Sequence, residues 1–183
     1  PCCYHLQRMI EATLELRSEE GIGADDIREI EVAVNSFFPT VVQHDEPGDG
    51  IEAQFSLPHA LAAAMLEPKV LPASFSKARI EDPSFRAFRR KVRPVVDESL
   101  GWAPTGWPTT IAYRLVDGRE IVRRPEAIRG QPPDLLSFDE CVPKYRGCVE
   151  GMVPETGIAR SIGILSRLED CADIRELIRE VAH

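Results

Sequence analysis

Acid–base or nucleophilic chemistry near neutral pH draws on imidazoles, thiols and carboxylates. The 183-residue chain carries four histidines and five cysteines to supply the first two. Cys2 and Cys3 are adjacent, whereas Cys141, Cys148 and Cys171 lie far along the chain. No C-x-x-C pair exists and no histidine sits at zinc-finger spacing, so a structural metal is not expected and reduced thiols are the plain reading. Neither a glycine-rich phosphate loop nor a G-x-S-x-G elbow is present. Arg86, Arg89, Arg90, Lys91 and Arg93 form a basic group that could hold carboxylates, although a solvated helix face is the usual meaning of such a run. Trp102 and Trp107, set among prolines and glycines, read as loop anchors. Cys141 and Cys148 are seven apart and can share a helix face as core.

The bulk properties narrow the function classes. At 43% hydrophobic and 28% charged residues the composition is globular. A formal charge of −8 lacks the basic footprint of a nucleic-acid binder, and an acidic substrate would need a local basic pocket. The longest nearly apolar run, Ala60 to Leu66, is far short of the roughly 20 residues that cross a bilayer. With no basic segment leading into an apolar stretch, no signal peptide is visible, and a cytoplasmic protein without membrane or nucleic-acid partners is expected.

The elements that must position any site follow from periodicity. Leu6, Met9, Ile10 and Leu14 stripe a helix over 4–20, which Gly21 stops. Ile30, Val32 and Val34 alternate as a half-buried strand. Beyond the loop at 45–50, residues 51–66 read as helical with Pro58 in a first turn. A short helix follows at 82–92. Ile111, Tyr113 and Leu115 alternate before Asp117-Gly118, which predicts a hairpin with a type I′ turn returning through 119–124. The proline-rich stretch from Gly130 to Asp134 reads as a linker. Ser137 and Glu140 then form a capping box for a helix that Pro143 should kink or shorten. Helices over 155–168 and 171–182 follow, the last with an apolar stripe of Ile174, Leu177, Ile178 and Val181. The fold class is α+β: a domain over 1–130 with an antiparallel-containing sheet and packed helices, then C-terminal helices over 131–183.

Several stretches taken together resemble the MmgE/PrpD family. Pro1-Cys2-Cys3-Tyr4-His5 before an amphipathic helix is similar to that family's Lys-x-Tyr-Pro-x-Cys junction, with Pro1 at the pattern's proline. Gly50 through Ala64, containing Glu52-Ala53-Gln54-Phe55-Ser56-Leu57-Pro58-His59, resembles its Glu-Ala-Lys-Phe-Ser-Leu-Pro-Tyr segment. The short helix at 82–92, the Asp117-Gly118 hairpin and Leu136 to Glu140 complete the order, so the resemblance covers nearly the whole chain. The family includes 2-methylcitrate dehydratase, cis-aconitate decarboxylase and iminodisuccinate epimerase.

The resemblance implies a smaller α+β lid over 1–130, and helices over 131–183 that return to a large N-terminal helical domain of the same enzyme. It also implies an active site between lid and helical domain, a small polycarboxylate substrate, typically a homodimer, and no cofactor or obligatory metal. On this expectation the chain is part of a larger enzyme whose upstream lysine precedes Pro1, and it is inactive alone. The shared hard step is making or quenching a carbanion-like centre beside carboxylates. The resemblance makes Cys3, His5 and His59 the catalytic candidates, with Gln54 and Ser56 as substrate-binding candidates. An imidazole at His59, where the family usually has Tyr, could donate a hydrogen bond or carry a proton. A core histidine at a helix start is the alternative there, as a small buried thiol is for Cys3 and a partly exposed helix-start histidine for His5. Gln7 stands where many members have His. Dehydration of a polycarboxylate such as 2-methylcitrate is the first expectation. Epimerisation or decarboxylation of a related dicarboxylate, or a non-catalytic binding module of the same fold, are the others.

Overall fold

The computed structural model describes residues 1–102, 109–125, 130, 132 and 135–182. Trp107 and most of the 130–134 stretch lie outside the described residues. The chain forms two compact units, Pro1–Ile128 and Arg129–His183.

In the first unit a 3₁₀ turn, Tyr4–Leu6, runs into helix α1, Gln7–Glu20. Leu6, Met9, Ile10, Thr13 and Leu16 are buried along it. Gly21 ends it at φ +64°, where a side chain would be strained. Strand β1, Ile27–Val34, buries Ile30, Val32 and Val34 completely on one face.

The stretch at 51–66 is two helices rather than one: α2, Gly50–Gln54, and α3, Leu57–Leu66. The break falls where the Ser56 hydroxyl accepts from the His59 amide at 3.2 Å and Pro58 occupies the first turn of α3. This is a capped restart, because a proline cannot supply the N–H that an uninterrupted helix needs. Almost all of α3 is buried; its run of alanines brings the helix close to its neighbours on every side.

Helices α4, Lys77–Glu81, and α5, Pro83–Arg89, follow. The Asp82 carboxylate caps α5 by accepting from the Ser84 and Phe85 amides at 2.8 and 3.4 Å. The helix expected to reach residue 92 stops at Arg89, and Val92–Val96 is instead strand β2, parallel to β1. Pro94 within it has no N–H to give, which is tolerable because β2 lies at the sheet edge. Strands β3, Thr110–Leu115, and β4, Glu120–Arg123, complete a mixed sheet of order β2-β1-β3-β4.

The β3–β4 hairpin forms at the expected place with a different turn. Leu115 donates to the Arg119 carbonyl at 2.8 Å and Gly118 donates to the Leu115 carbonyl at 3.2 Å. Val116, Asp117 and Gly118 therefore make a three-residue loop. Only Gly118 has positive φ, +92°, so Asp117 does not enter the left-handed region that a type I′ turn requires. The Asp117 carboxylate instead accepts from the Arg119 amide at 2.9 Å and holds the return strand.

The sheet has one dry face and one wet face. Ile111, Tyr113 and Leu115 join the buried residues of β1. The Tyr113 hydroxyl meets Thr13 of α1 at 2.8 Å. Across the sheet, Arg114 bonds Glu29 and Glu120, each at 2.9 Å, and Arg93 pairs with Glu31. Alternate residues thus point inward and outward, as in any strand with one buried and one solvated face.

In the second unit α6, Phe138–Val149, starts on the expected Ser137/Glu140 capping box. It continues past Pro143 to Val149, so the proline does not shorten it. Helices α7, Glu155–Leu165, and α8, Arg175–Val181, are shorter than their apolar periodicity implied. They approach closely at Gly157, where a Cβ would lie 2.6 Å from the Glu180 carbonyl oxygen. Of the stripe on α8, Ile174 and Ile178 are more than half exposed, at 51% and 53%. No described helix is long and apolar enough to cross a membrane.

Candidate functional site

The opening segment and the end of α2 are joined by main chain. The Cys3 amide donates to the Gln54 carbonyl at 2.9 Å, which fixes the start of α1 against the last residue of α2. Gln7 supports the same turn: its side-chain amide donates to the Cys2 carbonyl at 3.2 Å and contacts the Cys2 sulfur at 3.4 Å. Cys3 and Gln54 are both half-buried. Burial pushes the Cys3 thiol above its ordinary range, against a smaller opposing effect of a backbone hydrogen bond involving His5. A protonated thiol is a weak hydrogen-bond donor and a poor nucleophile.

His5, also half-buried, stands in a line of aromatic rings. Its ring meets the edge of Tyr4 at 5.9 Å and of Phe37 at 5.8 Å, and Phe37 meets Trp102 at 5.3 Å. Trp102 is 67% exposed, so it extends the line outward rather than anchoring it. Burial lowers the His5 pKa, and the positive charge of Arg8 lowers it further. Arg8 is buried at 7% exposure. Sequence reasoning missed it, because a charged residue next to the Met9–Ile10 stripe reads as the start of the solvent face. Its position one turn after Tyr4 was the available signal.

His59 and Ser56 are placed differently. Both are completely buried within the first unit. Ser56 caps α3. The His59 ring lies between Phe75 and Phe85, with centroids at 5.7 and 5.3 Å, and its Nε2 lies 2.9 Å from the Ser74 carbonyl oxygen. Its Nδ1 is buried with no hydrogen-bond partner among the described residues. Burial lowers the His59 pKa most, opposed by the bond to Ser74. The structure thus gathers Cys3, Gln54 and Gln7 at one turn, sets His5 just beyond it, and withdraws the side chains of His59 and Ser56 from any surface.

The basic group at 86–93 is neither a carboxylate-binding patch nor a solvated helix face. Arg89 is 3% exposed, donating to Glu46 at 2.8 Å and to the Ile80 carbonyl at 3.2 Å. Lys91 donates to the carbonyls of Ala24 and Ile27 at 3.0 and 2.7 Å. Arg93 belongs to the sheet's ionic network, and only Arg86 and Arg90 are left as exposed helix-end cations. All five cysteines are free. No group of three or more His, Cys, Asp and Glu side chains among the described residues could hold a metal ion.

An α+β unit with a few half-buried polar groups at its opening turn, joined in sequence to a helical unit, defines the class. The chain belongs to the MmgE/PrpD family: the family model of the MmgE/PrpD C-terminal domain matches residues 1–170. Members of that family are generally lyase- or dehydratase-like enzymes. No curated protein matches the chain.

Proposed function

We propose that this chain is the substrate-facing C-terminal part of an MmgE/PrpD-type lyase that dehydrates a small polycarboxylate such as 2-methylcitrate. Its first unit acts as a lid over a site completed by the helical domain that precedes it in such enzymes. One observation carries the reading: a half-buried thiol stands at a turn locked by the Cys3–Gln54 hydrogen bond, with a half-buried imidazole just beyond it.

Dehydration removes a proton from carbon beside a carboxylate and expels the hydroxyl as water. His5, held neutral by burial and by Arg8, has the protonation state of a base. Cys3, held protonated, donates a hydrogen bond and forms no covalent intermediate. Arg8, near enough to act on His5, supplies positive charge that favours the negative charge developing on the substrate. Lid closure excludes water from these groups. Gln54 binds substrate from the facing end of α2. Ser56 and His59 serve from inside the unit, by shaping the α2–α3 joint.

Turnover of 2-methylcitrate by the full-length protein, followed through the ultraviolet absorbance of the unsaturated acid, tests this reading. Water elimination is expected. Because the thiol is not a nucleophile, Cys3→Ala is expected to keep kcat/KM within about tenfold, the span of one lost weak hydrogen bond. Racemisation of iminodisuccinate or release of carbon dioxide from cis-aconitate, in place of dehydration, would move the chain to the epimerase or decarboxylase reading. No turnover of any of the three would remove the catalytic reading.

A further inference from the structure

We infer that His59 is a positioning residue that works as an acid-sensitive latch, holding the Pro72–Phe75 turn against α3 and, through that turn, the α2 end of the Cys3–Gln54 junction. A carbonyl oxygen only accepts, so the 2.9 Å contact to Ser74 requires the proton on Nε2. Nδ1 then carries a bare lone pair in a sealed place, with no donor among the described residues. The neutral imidazole fits this place. A second proton puts a charge beside two phenyl rings with nothing among the described residues to accept its hydrogen bond, which is the costly arrangement for a buried ion.

The surrounding charges do not rescue it. Arg89, on α5, faces the ring and repels a positive charge, and its own partner Glu46 is drawn to the guanidinium. Glu67, at the end of α3, attracts a positive charge. Its carboxylate is already held by the Ser74 hydroxyl and by Arg79 of α4 at 2.7 Å. Arg79 in turn lies 5.7 Å over the Phe85 ring and 3.6 Å from Asp82. Burial remains the largest influence and lowers the pKa from its ordinary 6.5. Stability from the neutral imidazole is therefore full above about 6.5, where native and unfolded chains both leave it unprotonated. It declines as pH falls from there towards the lower native value, because the unfolded chain takes the proton first.

The route outward is short. The Phe75 carbonyl oxygen lies 2.9 Å from where a Cβ on Gly50 would be, an approach that only glycine permits at the first residue of α2. The α2 helix ends at Gln54, whose carbonyl holds Cys3. Freeing the Pro72–Phe75 turn therefore frees α2 and the junction. The consequence for turnover rests on the proposed function; the latch itself does not.

Hydrogen exchange in the full-length protein at about pH 7.5 and about pH 5.5, corrected for intrinsic rates, reads the latch without substrate. In the unaltered protein, opening at the amides of Ala53, Ser56, Ser74 and Ser76 is expected to rise in acid by up to about tenfold, the ceiling that linkage sets for a drop from about 6.5 to about 5.5. His59→Gln keeps an N–H for Ser74 but does not titrate in this range, and should abolish the rise. His59→Tyr keeps a ring between Phe75 and Phe85 and serves if the first variant fails to fold. An equal acid response in either folded variant, or none in the unaltered protein, overturns the latch. Failure to turn over any polycarboxylate overturns the proposed function and leaves this result untouched.

Discussion

Replacing His5 by Ala in the full-length protein is expected to lower kcat/KM for dehydration by about 10²–10⁴, the usual contribution of a positioned general base. Unfolding should be little changed, because the ring is half-buried and its neighbour Phe37 keeps its contact with Trp102. The pH profile separates this from a packing effect. Burial first, and Arg8 second, lower the His5 pKa, so the base form persists below the ordinary 6.5 and the acid limb of kcat/KM lies beneath that value. Arg8→Gln removes the smaller of the two influences, and the acid limb should move partway back towards 6.5. If His5→Ala retains activity within about threefold, a range expected of surface changes, the base lies elsewhere.

Phe85→Ala is expected to destabilise the first unit by about 3–5 kcal/mol, through lost burial and a cavity that the surroundings fill only in part. Phe85 is 2% exposed, packs on His59 at 5.3 Å and receives Arg79 at 5.7 Å, so one ring supports the latch and a cation at once. Against a typical total of about 5–15 kcal/mol this is a large fraction, visible as a lowered urea midpoint for α3 and α5. Phe85→Leu, which refills most of the space, should recover the greater part. A change below about 1 kcal/mol for the alanine variant would show that α5 is not part of this core.

What the sequence made legible was local. The apolar spacing of α1, the Gly21 stop, the Ser137/Glu140 box and the alternation of β1 and β3 depend on near neighbours, and each formed as its residues direct. The hairpin was legible in place but not in turn type: an Asp-Gly pair suits more than one loop, and register against Arg119 and Glu120 selected the longer one. Strand β2 was obscured because Val92 read as the last residue of a basic helix, and Arg93 and Pro94 after it do not look like a strand. A polar, proline-bearing strand makes sense only at a sheet edge, and the edge is set by long-range pairing with β1.

The same distinction applies to the site. The resemblance at the opening segment and at Phe55-Ser56-Leu57-Pro58 carried family membership, because chain order holds that information. The depth of each side chain was not in that order. His59 is sealed because Phe75 and Phe85 fold over it from two other elements. Arg8 and Arg89 are buried although charged, and Arg89 is so because it meets a residue distant in the chain that no helical period reveals. Glu46, 43 residues before Arg89, is that residue.

In the proposed lyase, bound substrate covers the turn of Cys3 and Gln54 and the neighbouring His5. Alkylation of Cys3 in the full-length protein, read by mass spectrometry with and without saturating 2-methylcitrate, tests it most directly, with the exposed Cys141 as internal reference. Bound substrate should slow Cys3 labelling by about tenfold or more, as occlusion of a half-accessible thiol does, and leave Cys141 unchanged. Equal labelling of Cys3 in a protein shown to bind the acid would contradict the account.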